Sequence, residues 1–108
     1  MKQRRDVFFA IADENRRAIL ELLYTHGLPL SVGAIANDFN ISRNGISKHI
    51  IVLKESGLVN TEFIGRENYV SLDAIKLAEV YQWISIFEDF WKAKLNNLKN
   101  LVEANKKK

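Results

Sequence analysis

The 108-residue chain contains no cysteine, and that absence excludes disulfides, thiolate metal sites, cysteine nucleophiles and thiol redox switches. Histidine is nearly as scarce. His26 and His49 fall in different segments and are too few and too separate to build a transition-metal site, so no metal ligand and no cofactor is predicted. One proline and five glycines leave few places to turn, which favours helices. No apolar run approaches the roughly 20 residues that span a bilayer, and the opening MKQRRD leads into a short apolar patch broken by Asp13 and Glu14. The expectation is a cytoplasmic chain with neither a secretory signal nor a membrane partner. Excess positive charge is missing too. The net charge is +3, and Lys106, Lys107 and Lys108 supply all of it, so the rest of the chain sums to about zero. Any case for a polyanionic partner has to rest on where the charges sit. The apolar content of 47% and charged content of 27% are those of a globular chain, expected to form a single domain over 1–108.

Residues 41–60, ISRNGISKHIIVLKESGLVN, carry the densest pattern. Ser42 is a helix N-cap and Gly57 a helix stop. Between them Ile46, Ile50 and Leu53 step by four and three, the mark of a buried stripe. The other face presents Arg43, Asn44, Ser47, Lys48 and Lys54, side chains that donate hydrogen bonds to phosphates and base edges. After Gly57, Leu58-Val59 opens a strand-like run. A capped helix with a polar, partly basic face that runs straight into a strand is the pattern of a DNA-reading helix followed by a wing.

The rest of the chain fits around that stretch. Residues 4–12 read as a short amphipathic helix with Val7, Phe8 and Ile11 inward. Asp13 or Asn15 caps a helix from Arg16 to His26, with Ile19, Leu20, Leu22 and Leu23 inward, and Gly27 and Pro29 end it. Ser31 caps a third helix, VGAIANDF, with Val32, Ile35 and Phe39 inward. Two short serine-capped helices a few residues apart have helix-turn-helix spacing, over about residues 31–56. Residues 58–64 and 69–72 are strand-like around Gly65-Arg66-Glu67-Asn68, a four-residue hairpin tip within a wing of about residues 58–72. Asp73 then caps a long helix over about 74–103, and 105–108 read as a disordered tail.

Along the long helix Leu77, Val80, Ile84, Phe87, Trp91 and Leu98 recur at helical spacing, and Trp83, Ile86 and Phe90 widen the apolar surface. A helix of about 30 residues spans about 45 Å, more than a domain of this size covers. That face is expected to pair with its copy across a two-fold axis, together with Val7, Phe8 and Ile11 of the first helix. A helix packed wholly on its own domain, or an apolar ligand held among the aromatic residues, are the competing readings. The fold class is therefore mostly α with a small β-hairpin, a winged helix-turn-helix in the order α-α-α-α-β-β-α.

The residues themselves resemble a known family. DVFFAIADENRRAILELL, residues 6–23, is similar to the opening of ArsR-type (ArsR/SmtB-like) winged helix-turn-helix repressors, and residues 31–72 resemble that family's recognition region and wing. The Ser-x-x-x-Ile-Ser-Lys-His-Ile-x-x-Leu-x-x-x-Gly-Leu-Val string from Ser42 to Val59 is the most specific part. The resemblance implies a homodimer that binds double-stranded DNA at a pseudo-palindromic operator and represses transcription. It also implies DNA contacts from Ser31, Ser42, His49 and the hairpin-tip Arg66, besides Arg43, Asn44, Ser47, Lys48 and Lys54. Sensor members bind metal through cysteines on the third helix or Asp/His/Glu sets on the last. Neither set is present here, which points to the metal-independent branch, whose effectors vary; a small-molecule effector is left open and none is identified. Asn44-Gly45 stands where family members often have Pro-Ala, and Ile51 replaces a position that is commonly basic; Ile51, with Glu55 nearby, predicts modest phosphate affinity. The near-neutral body leaves a protein-interaction winged helix as the alternative function. With no nucleophile–base pair and no converging carboxylates, no catalytic residue is predicted.

Overall fold

The structure, a computed structural model, describes residues 6–106. Helix α1, Val7–Ile11, is capped by Asp6, whose Oδ1 accepts from the Phe9 amide at 2.9 Å. Helix α2, Glu14–His26, is capped by Asp13, whose Oδ1 accepts from the amides of Asn15 and Arg16 at 2.8 and 3.1 Å. Five residues are too few for a helix to hold itself together, and the guanidiniums of α2 supply what α1 lacks. Arg16 donates from Nε to the Ala10 carbonyl at 2.7 Å and from Nη2 to that of Phe9 at 3.1 Å, while Arg17 Nη1 donates to Ile11 at 2.7 Å. The Ala10 and Ile11 carbonyls at the end of α1 are thereby satisfied, and the Phe9 carbonyl, which accepts from the Ala12 amide, gains a second donor.

Strand β1, Leu30–Ser31, leads directly into helix α3, Val32–Phe39, and Ser31 Oγ caps that helix by accepting from the Ala34 amide at 3.1 Å. Asn40 ends α3 in the left-handed region at φ 54°, where Asn is better tolerated than most residues. Helix α4, Arg43–Glu55, follows, capped by Ser42 Oγ accepting from the Gly45 amide at 3.0 Å. Strands β2, Val59–Ile64, and β3, Glu67–Leu72, form an antiparallel hairpin, and β1 joins the other edge of β3, giving the order β1-β3-β2. A 3-10 turn, Ile75–Leu77, precedes helices α5, Ala78–Ser85, and α6, Glu88–Lys106.

The chain divides into two compact units, Met1–Ala78 and Glu79–Lys108. The buried core belongs to the first unit. Val7, Ile19, Ile35, Ile46, Leu53, Leu58, Val59 and Val70 are fully enclosed there, so α1 to α4 and the sheet share one interior. In α5 and α6 no described side chain is buried.

Several expectations are corrected. The helix expected over 4–12 is Val7–Ile11; residues 4 and 5 lie outside the described residues. Val7 is 1% exposed and belongs to the core, so it is not available to a dimer partner, whereas Phe8 is exposed and Ala10 takes the second buried place. Helix α2 starts at Glu14, two residues before Arg16, because Asp13 caps it. The hairpin tip is Gly65-Arg66 alone, since Ile64 pairs with Glu67 and Phe63 with Asn68. Gly65, at φ 65°, occupies the first central position, where a two-residue hairpin of the II′ kind demands glycine. Strand β1 was not anticipated. The single helix over 74–103 is three segments, with the 3-10 turn at its start and a break at Ile86-Phe87. The tail is helical to Lys106, and residues 107 and 108 lie outside the described residues.

Candidate nucleic-acid interface

Three residues, 40–42, connect α3 to α4. The capped start of α4 is presented to solvent while Ile46, Ile50 and Leu53 lock its other face into the core. Arg43, Asn44, Lys48 and Lys54 are exposed, Ser42 is exposed beside them, and Ser47 and His49 are half-buried. Nearly all the DNA contacts expected from α4 thus lie on one open surface. Ser31 stands apart from it, half-buried at the start of α3 with its hydroxyl oxygen committed to the cap. Arg66 is exposed at the tip of the wing. Ile51 is 51% exposed among the polar side chains of α4, which confirms its place on that face.

Glycines tighten the two helices. A Cβ on Gly45 would stand 2.8 Å from Ile41 Cγ2 and 3.3 Å from the capping Ser42 Oγ. Glycine at this position lets Ile41 fold over the first turn of α4. A Cβ on Gly33 of α3 would stand 2.7 Å from Arg43 Nη2. The Arg43 guanidinium therefore rests directly against the Gly33 backbone. From there Nη2 donates to both carboxylate oxygens of Glu67, at 2.9 and 3.1 Å. One guanidinium joins α3, α4 and the first residue of β3. The sequence shows Glu67 only as a negative charge in the wing. Nothing in its local pattern reveals a partner 24 residues away.

Asp13, the cap of α2, interacts electrostatically with His49 of α4. Burial, the largest single influence, raises its carboxyl pKa. The Arg16 amide, the charge of His49 on α4, the Arg16 guanidinium and the Asn15 amide together outweigh it and hold the group below its ordinary value. A carboxylate whose pKa is lower folded than unfolded stabilises the fold above the unfolded value of about 3.9 and loses that contribution as the pH falls through the folded one. Thermal melts at pH 6 and pH 3 are expected to show a smaller acid-induced drop for Asp13→Asn than for the wild type. Asparagine still caps α2 but carries no charge to lose.

The second unit offers a different surface. Between 44% (Phe87) and 58% (Phe90) of the surface of Trp83, Ile84, Phe87, Phe90, Trp91 and Leu98 is exposed. Trp83 meets Phe87 edge-on at 5.3 Å, and Phe90 meets Trp91 at 5.7 Å. Trp83, Ile84, Phe87, Phe90 and Trp91 line an open apolar groove of about 350 Å³. Leu77 and Val80, also expected on this face, are half-buried, and Ile11 of α1 is half-buried in the first unit. Among the described residues no group of three or more Asp, Glu or His side chains could hold a metal ion. No helix among them is long and apolar enough to cross a membrane.

A serine-capped helix pair with a short turn, the second helix locked into the core by one face, followed by a hairpin with a two-residue tip that pairs with β1, defines a winged helix-turn-helix. The comparisons agree. A helix-turn-helix domain model matches residues 11–62. The transcriptional repressor SdpR of Bacillus subtilis is 38% identical over 82 residues, covering 76% of this chain and 89% of that protein. The crystal structure of an ArsR family transcriptional regulator superposes with a TM-score of 0.71 at 28% identity, over 85% of this chain and 97% of the other. The homodimeric winged helix-turn-helix DNA-binding domain of Mb0332 from Mycobacterium bovis, solved in solution, gives 0.60 at 26% identity, over 77% and 75%. The chain belongs to the ArsR-type family of winged helix-turn-helix transcriptional regulators. It is a DNA-binding regulator of transcription, and the family is one of regulators and not of enzymes.

Proposed function

We propose that the protein is a metal-independent repressor that binds an inverted-repeat operator as a homodimer. The observation that carries this reading is the open face of α4, where Arg43, Asn44, Lys48 and Lys54 project from a helix whose other side is sealed into the core. Such a helix enters a major groove by its first turns. Arg43, Asn44 and Ser47 then meet base edges, Arg43 suiting guanine and Asn44 adenine. Lys48 and Lys54 neutralise phosphates, His49, Ser42 and Ser31 lie toward the sugar-phosphate backbone, and Arg66 reaches from the wing toward a minor groove.

The exposed aromatic face of α5 and α6 supports dimerisation, as does the homodimeric state of the Mb0332 domain. The name of SdpR supports repression over activation. The donor set supports metal independence, since the chain has no thiolate and its two histidines lie in α2 and α4.

Selection from a pool of randomised duplexes tests the reading. The expected product is an inverted repeat with half-site centres about one helical turn apart. A gel-shift band that does not survive competitor DNA would instead favour a protein-interaction role. On the selected duplex, Arg43→Ala is expected to cost about 1–3 kcal/mol and to relax preference at one base position per half-site. Equal weakening on all sequences would make Arg43 a phosphate contact.

A further inference from the structure

We propose that Glu67, the first residue of the wing's second strand, positions Arg43 and so helps set the sequence preference of the reading helix. This rests on the reading of α4 as the DNA-reading helix. Arginine is among the most mobile of side chains, and an unrestrained one at the start of an exposed helix samples many rotamers. Arg43 is 63% exposed and is not held by burial. Two features restrain it. The Gly33 backbone gives the guanidinium a flat seat, and the Glu67 carboxylate takes Nη2 with both oxygens.

The donor count makes this arrangement useful. A guanidinium has five N–H groups, and only Nη2 is engaged by Glu67. Nε lies against Gly33 together with Nη2, and the two Nη1 N–H groups remain for a base edge. A carboxylate holding one end of an arginine while the other end reads a base is pre-organisation in the ordinary sense: the ordering cost is met before DNA arrives. Stability does not account for the pair, because an ion pair this exposed contributes little to folding. Attraction to DNA does not account for it either, since a carboxylate beside the reading helix repels phosphates.

These two roles of Glu67 have opposite signs, and that makes the proposal testable. Losing the carboxylate removes repulsion and strengthens non-specific binding, while it frees the guanidinium and weakens discrimination. The full-length wild type, Glu67→Gln, Gly33→Ala, Arg43→Ala and the double variant Arg43→Ala/Glu67→Gln are each put through the randomised-duplex selection. Each is then titrated against the selected duplex and a scrambled duplex at one salt concentration. Glu67→Gln is expected to lower the ratio of specific to non-specific affinity by about 3- to 10-fold. The loss should fall on the base position that Arg43→Ala relaxes, while affinity for the scrambled duplex rises. In the Arg43→Ala background, Glu67→Gln should still raise scrambled binding but lower the ratio no further than that rise accounts for. Gly33→Ala puts a Cβ where Nη2 rests, so it should blur the same position without any change in charge.

An unaltered preference at that position in both Glu67→Gln and Gly33→Ala overturns the proposal. So does a Glu67→Gln loss of preference that persists in full when Arg43 is absent. Enrichment of no sequence by the wild type removes the DNA-reading proposal itself and this one with it. Wild-type enrichment with unchanged variants removes only this one.

Discussion

Glutamate in place of Trp91 is expected to convert the proposed homodimer to a monomer and to weaken operator binding by about 10²–10⁴-fold, the range lost when two linked binding events become independent. Trp91 sits in the first turn of α6, pairs edge-on with Phe90 and helps line the groove shared with Phe87. In the single chain it is 49% exposed. Buried tryptophans near the centre of an interface are among the residues whose loss costs most, commonly 2 kcal/mol or more. A carboxylate there would also have to be desolvated without a partner. The buried core runs from Val7 to Val70, so the winged helix-turn-helix unit should keep its fold in this variant. Sedimentation equilibrium reads the oligomeric state, and gel shift on the selected duplex reads the affinity. A dimer that survives the substitution with full affinity would place the two-fold contact elsewhere.

Ile46→Ala is expected to destabilise the fold by about 2–5 kcal/mol, the range for emptying a fully enclosed aliphatic site. Ile46 has no exposed surface and anchors the first turns of α4, the part that carries Arg43, Asn44 and Ser47. In a unit of this size each kcal/mol shifts the melting temperature by about 4–8 °C, so a fall of at least about 8 °C is expected. Ile51→Ala is the control. Ile51 is on the same helix but half exposed, and its loss should stay within about 0.5 kcal/mol. Thermal melts of both variants check the pair of values. Similar losses at the two positions would mean that α4 is not seated as the structure has it.

Helix α4 was legible because everything that defines it is local. Ser42, the stripe of Ile46, Ile50 and Leu53, and Gly57 fall within 16 residues, and the structure uses each in the role its chemistry implies. Helix α3 was legible for the same reason, from Ser31 to Asn40. The misses share an opposite cause. Strand β1 is two residues long and exists only because β3 has a free edge for Leu30 and Ser31 to pair with. The hairpin tip read as four residues because Glu67 and Asn68 are polar enough for a turn, yet register with Phe63 and Ile64 makes them strand. The break at Ile86-Phe87 lies under an unbroken apolar stripe with no proline or glycine to mark it. Val7 read as an interface residue because an apolar side chain on a short helix looks the same whether it faces a partner or its own core.

At the site, the exposed donors of α4 could be read from the helix pattern alone. The restraint on Arg43 could not. It depends on Gly33 having no side chain and on the β3 register bringing Glu67 to α4, both of which are consequences of the fold.

If two copies of α4 read two major grooves, methylation protection on the selected duplex will show it at guanine N7, which lies in the major groove. Two clusters of protected guanines are expected, symmetric about a dyad and about 10–10.5 base pairs apart between centres. In Arg43→Ala the same guanine should become reactive in each half-site. Protection at a single cluster, or a bound duplex whose major-groove guanines all remain reactive, would contradict two-fold major-groove reading.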